Sequence, residues 1–299
     1  MSYSKENNKL LNQEQGGKAF SIMIAIYVLL SFVVQVILLS FTKQESFTYI
    51  AVCSCLSSLS IFLAIIYQNK CQKCTYKALN IKKFDVKAVL PAVLLAIGMF
   101  LGLGFVNLAL IQGLKNLGIT VSSPNIMLDN VWQLIFFSIT LALLPAIFEE
   151  LFFRGLFLSS LSEQSILSKT LIVGLFFALY HCNLGQFIYQ FIYGSALCLL
   201  TIYAKSIIPA IITHFLNNFV VLLFTYLKIQ IDLFNPIRIS CGLICMAIFL
   251  LALVISLKKV NIEGQKQNKP HKINKVFMPY GILGVIICAV MLFSALFVG

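Results

Sequence analysis

Nine long apolar runs, near residues 19–41, 47–67, 88–113, 131–153, 168–182, 187–204, 207–227, 238–257 and 277–298, leave this chain few ways to fold. A helix of roughly 20 mainly apolar residues crosses a bilayer, and in hydrocarbon only helices and closed barrels satisfy their own backbone groups. These runs are too long for barrel strands. The expected fold is therefore all-α, a polytopic transmembrane helix bundle, and a chain that is 60% hydrophobic and 11% charged lies outside the usual range of soluble domains. The fifth and sixth runs are short, and their separation rests on Cys182-Asn183-Leu184-Gly185-Gln186, so eight spans is the alternative count.

Charge tests that reading. In a soluble protein a net charge of +12 would point to nucleic acid. With nine alternating spans, however, 18 of the 22 Lys and Arg residues fall on the side of the N-terminus, the exceptions being Lys43, Lys115, Lys228 and Arg238. Cytoplasmic loops carry such an excess, so the N-terminus is expected to be cytoplasmic, with the lipid bilayer and not nucleic acid as partner. The first span is too long, and too far from a small-residue cleavage site, to be a removable signal. Nine cysteines, mostly inside the runs, imply no disulfide framework, and Cys71-Gln72-Lys73-Cys74 has zinc-knuckle spacing without a second pair nearby. The Lys-rich stretches help divide the chain into a cytoplasmic tail (1–18), N-terminal spans (19–130), a core (131–227) and C-terminal spans (228–299). No internal repeat of the kind found in many transporters is visible.

Only the core carries polar residues with obvious chemistry. Of ten Asp and Glu residues, eight lie in tails or loops, whereas Glu149 and Glu150 interrupt the apolar stretch from Val131 to Leu158. A carboxylate at membrane depth costs a few kcal/mol, which makes such a group a functional hypothesis by default. Glu150 and Arg154 are i,i+4 neighbours able to pair on one helical face, while Glu149 points about 100° away and stays available as a base. The same three residues could instead form a juxtamembrane ion cluster. Two of the three histidines, His181 and His214, lie in apolar runs, and Asn218 follows His214 on the same helical face. At 1.5 Å per residue, His214 lies roughly 10 Å, His181 roughly 18 Å and Glu149 roughly 7 Å or more from the cytoplasmic boundary, with Arg154 reaching the interface. The expectation is one water-accessible cavity open toward the cytosol.

Peptide hydrolysis needs a base for water and donors for an oxyanion. Glu149 suits the first task, and two of His181, His214 and Asn218 the second. Alternatively, Glu149, His181 and His214 supply the two nitrogens and one carboxylate of a zinc site, although no His-Glu-x-x-His helix is present.

Glu149-Glu150-Leu151-Phe152-Phe153-Arg154, Phe177-Ala178-Leu179-Tyr180-His181 and His214-Phe215-Leu216-Asn217-Asn218 resemble, in order and type, the three motifs of the CPBP family. That family, also called Abi, comprises type II CAAX prenyl proteases and bacteriocin-processing or bacteriocin-immunity membrane proteases. The resemblance covers about residues 130–225. It implies that Glu149 activates water, that Glu150 pairs with Arg154, and that His181, His214 and Asn218 complete a catalytic cavity. The family is commonly labelled a metalloprotease, and zinc and a metal-free, glutamate-activated water are both consistent with these residues. Implied substrates are membrane-anchored, lipidated or transmembrane peptides, in CAAX-type processing, peptide maturation or bacteriocin immunity. Abundant Lys, Asn and Ile without a eukaryotic targeting signal point to a multi-pass protein of a bacterial plasma membrane. The competing reading is a non-catalytic receptor, scaffold or transporter built on the same polar cluster.

Overall fold

Asn12 opens the first helix. Its side-chain oxygen accepts from the Gln15 amide at 2.8 Å, and the Gln15 side chain accepts from the Asn12 amide at 3.0 Å. This capping box satisfies two helix-end donors and starts α1 (Gln13–Leu39) well ahead of its apolar run. The computed structural model describes residues 12–43, 46–72, 79–119, 121, 126, 128–264 and 277–294, and among these every regular element is helical. After α1 come α2 (Phe47–Gln72), α3 (Val86–Asn116), α4 (Val131–Ser160), α5 (Ile166–Tyr180), α6 (Phe187–Ala204), α7 (Ile208–Tyr226), α8 (Pro236–Gly264) and α9 (Phe277–Ser294).

Each helix falls on one of the nine apolar runs, but they are not equal in reach. Seven are long and apolar enough to cross a membrane, whereas α5, with 15 residues, and the apolar part of α9, Gly281–Leu292, are shorter. The break expected after the fifth run is present. α5 stops at Tyr180, Cys182 turns the chain with a left-handed φ of 46°, and a 3-10 turn over Leu184–Gln186 leads into α6, which packs back on α5. At the chain's two ends, α1 and α9 lie side by side, and the Gly284 amide donates to Ser21 Oγ at 2.9 Å.

Three π-helical segments interrupt the ladders: Gly98–Leu103 in α3, and Ser138–Leu143 and Leu151–Phe157 in α4. A π turn fits in an extra residue and re-aims the side chains that follow. The two in α4 flank Leu144–Glu150, the seven residues that end in both glutamates. Pro145, which has no amide proton for the ladder, sits where the first π segment ends.

Close approach of small residues holds α8 against α3. A Cβ on Gly242 would fall on the Gly102 backbone, and in lipid such contacts carry helix association. Between α1, α4 and α5 the space is filled by buried rings of Phe20, Phe152, Phe153, Phe157, Phe176 and Phe177. Gly242→Leu should therefore lower the unfolding temperature in detergent, with overpacking costing about 1–3 kcal/mol. Gly113→Ala, where an added Cβ meets nothing within 4 Å, should leave it unchanged. Size-exclusion chromatography after graded heating reads both.

Candidate active site

Arg154 is 1% exposed, so it does not reach the cytosolic interface as expected. α4 continues past it to Ser160, and that extension draws the guanidinium into the bundle. Nη1 donates to Glu150 Oε1 at 2.8 Å, Nη2 donates to the Gly194 carbonyl at 2.9 Å, and the guanidinium lies 4.4 Å from the Phe177 ring centroid. The i,i+4 pairing read from the sequence is thus present but fully enclosed, not juxtamembrane. His214 Nδ1 reaches the same Glu150 oxygen at 2.8 Å. One carboxylate therefore ties α4 to α7, and through Arg154 to α6.

Glu149 is in a different position. It lies about 16 Å from the Ser160 end of α4 at 1.5 Å per residue, within the expected 7 Å or more. Its Oε2 is 3.9 Å from His214 Nε2 and has no hydrogen-bond partner among the described residues. That gap is too long for a direct hydrogen bond.

The remaining candidates line the same space. His181 follows the last residue of α5, and its Nδ1 is 2.8 Å from the Phe177 carbonyl. A carbonyl only accepts, so the ring proton sits on Nδ1 and Nε2 keeps its lone pair. This differs from the donor role open to His181 in the sequence reading. Asn218 Nδ2 donates to the Leu141 carbonyl at 3.2 Å, while its Oδ1 accepts from Asn217 Nδ2 at 3.2 Å. Asn217 Oδ1 in turn accepts from the Tyr189 hydroxyl at 3.0 Å. The relay fixes which end of each amide faces which way and leaves Asn218 one N–H beyond its bond to Leu141. Asn217 is thus a packing hydrogen-bonder between α6 and α7.

A cavity of about 580 Å³ is lined by Glu149, His181, His214 and Asn218; Glu150 and Arg154 stand behind its wall. From Glu149 it runs past Tyr189 and Gln190 to Gln186, Leu233 and Arg238, at the end of the bundle away from most of the lysines. The sequence reading missed these cavity residues. Tyr189 and Gln190 belong to no motif, and Arg238 counted only as an exception to the charge bias. Arg238 Nη1 donates to the Asp232 carbonyl at 3.1 Å and Nη2 to the Phe100 carbonyl at 3.0 Å, contacts that only the tertiary fold creates.

Among the described residues no group of three His, Cys, Asp or Glu side chains is placed to hold a metal ion. Glu149, His181 and His214 share the cavity without converging as a ligand set, so no step below passes through zinc. The Cys71/Cys74 spacing and His271 fall outside the described side chains.

Fold and site together define a class: a polytopic helical membrane protein with a carboxylate, two imidazoles and an amide gathered on an intramembrane cavity. Residues 131–220 match the family model described as Type II CAAX prenyl endopeptidase Rce1-like, a segment that contains all six candidate residues. The family resemblance carried by the three motifs holds over this segment, and with it a CAAX-type membrane protease at family level. No curated protein and no solved structure matches the chain.

Removing one partner of a buried ion pair strands the other charge. Arg154→Met should cost about 3–5 kcal/mol, and adding Glu150→Gln should recover part of that loss. Thermal unfolding of both variants in detergent measures the difference.

Proposed function

We propose that the chain is an intramembrane endopeptidase that hydrolyses peptide bonds of membrane-associated substrates with a water activated by Glu149. One observation carries this reading: Glu149 lines the cavity beside His214, whereas its neighbour Glu150 lies behind the wall with one carboxylate oxygen held by both Arg154 and His214. Two adjacent carboxylates in such different surroundings divide naturally into a base and a structural anion.

The attacking water lies in the cavity against the Glu149 carboxylate, beside His214. Glu149 takes its proton as the water oxygen bonds to the scissile carbonyl carbon. The remaining N–H of Asn218 stabilises the oxyanion. Glu149 then returns the proton to the leaving nitrogen as the C–N bond breaks. His181 Nε2 accepts a hydrogen bond from a substrate amide. Glu150 and Arg154 do no chemistry themselves: they hold the His214 proton on Nδ1 and so turn the Nε2 lone pair toward the water. Lipidated, anchored or transmembrane peptides are the substrate classes, in CAAX-type processing, peptide maturation or bacteriocin immunity, at a bacterial plasma membrane. A receptor or scaffold would explain the enclosed ion pair but not a second carboxylate set on the cavity with two imidazoles and an amide.

The test is cleavage of a panel of membrane-anchored and prenylated peptides by purified protein in nanodiscs, read by mass spectrometry. Glu149→Gln should lose about 10²–10⁴ in rate with unchanged thermal stability. Asn218→Ala should lose about 10²–10³. A chelator should leave the wild-type rate unchanged; loss on chelation with recovery on zinc would make Glu149, His181 and His214 metal ligands instead. Equal cleavage by wild type and Glu149→Gln would sink the assignment of the base.

A further inference from the structure

Between α3 and α7 lies a second cavity, of about 370 Å³, which joins the catalytic one. Its lining is almost wholly apolar and runs from Phe84, Val89 and Pro209, at the Lys-rich end, to Phe100 and Asn217, which both cavities share. Beyond Phe100 the lining of the catalytic cavity continues along α3 with Gly104 and Asn107, and Arg238 at the start of α8 stands at that end. At 1.5 Å per residue, His214 lies about 9 Å and Phe100 about 21 Å from the starts of their helices at the Lys-rich end. Apolar groove, catalytic groups and Arg238 therefore follow one another along the bundle.

Arg238 is a cation that no anion meets. Nη1 and Nη2 donate to the Asp232 and Phe100 carbonyls, and the guanidinium lies 5.4 Å from the Phe100 ring centroid. A guanidinium has five N–H groups, so three are left over. Among the described residues no carboxylate lies within 4 Å of it, and that of Asp232 accepts from the Phe234 amide at 3.0 Å instead. Its placement is fixed: Asn235 Oδ1 accepts from the Arg238 amide at 3.1 Å, and Gly104 leaves the space beside the fork clear, since a Cβ there would lie 3.9 Å from Nη2. Two carbonyls could be satisfied by any neutral donor. A permanent charge at this end also runs against the bias of the other basic residues, so topology does not account for it. What a planar, charged fork matches is a carboxylate. Every peptide with a free end brings one, ionised at neutral pH.

We infer that Arg238 binds the C-terminal carboxylate of the substrate, so that the site takes a free chain end whose last residues extend from Glu149 toward α8. Arg238 is then a specificity residue, and it lies outside the 131–220 segment that matches the family model. The inference rests on the protease reading for the bond that is cut; recognition of the chain end stands on the geometry alone.

The test is binding, not turnover. A fluorescent prenylated peptide, as the free acid and as its C-terminal amide, is titrated against the full chain carrying Glu149→Gln in nanodiscs of zwitterionic lipid, which keeps anionic headgroups from competing. The acid should bind about 10- to 100-fold tighter, the range for a hydrogen bond to a charged group. Adding Arg238→Gln, which keeps a neutral donor and removes the charge, should abolish the preference by weakening the acid alone. Arg238→Lys keeps the charge without the fork and should retain a reduced preference; it carries the test if Arg238→Gln does not fold. Equal binding of acid and amide, no binding of either, or a preference untouched by substitution of Arg238 would overturn the inference. Cleavage of the same acid by the wild type reads the chemistry separately. An Arg238-dependent preference without cleavage sinks the protease reading alone, and cleavage without the preference sinks this inference alone.

Discussion

A single carboxylate oxygen, Glu150 Oε1, holds the centre of this bundle, because Arg154 and His214 both bond to it where no solvent can replace either one. Taking such charges out of water is expensive, and an apolar set of equal volume often packs at least as well. What the ion cluster adds is register. Arg154 reaches α6 through the Gly194 carbonyl and His214 reaches in from α7, so α4, α6 and α7 can satisfy the three groups together in one arrangement. Sliding one helix by a turn would leave a buried charge alone, at a cost of several kcal/mol, which apolar helix faces in lipid would never impose. The flat ring of Phe177 against the guanidinium completes the enclosure.

From that fixed frame the reactive geometry follows. The His214 ring is clamped at Nδ1, so its other nitrogen has only one direction to face, toward Glu149. Glu149 and Glu150 lie in the α-helical stretch between the two π segments of α4, where the 3.6-residue period aims adjacent side chains about 100° apart. They thereby acquire unlike surroundings, one facing a cavity and the other an ion pair.

The helical class, the nine helices and the Glu150–Arg154 pairing were legible because each rests on a local signal: apolar run length or i,i+4 spacing. The burial of Arg154 was not, since a helix end inferred from a basic residue assumes that the residue seeks water, and here α4 continues to Ser160 with the charge already neutralised. The cavity's wall was also illegible, because depth counted along single helices gives distance from one face and not what packs around the site. Tyr189, Gln190 and Arg238 escaped for the same reason, being ordinary residues brought to the cavity wall by tertiary structure alone. His181 could be located but not given its tautomer, which the Phe177 carbonyl decides.

The shortness of α5 has a consequence for the lipid around it. Its 15 residues reach about 22 Å against a hydrocarbon core of about 30 Å, and Leu167, Leu171 and Leu175 form an exposed apolar stripe along it. A helix that short draws the leaflets toward each other at a cost of fractions of a kcal/mol per Å, so the membrane is locally thinner beside the helix that ends at His181. A substrate helix sliding into that thinned zone has its terminal turns uncovered by hydrocarbon. Water can then compete for their backbone hydrogen bonds, and the segment can unwind into the extended form that a hydrolytic site must grip.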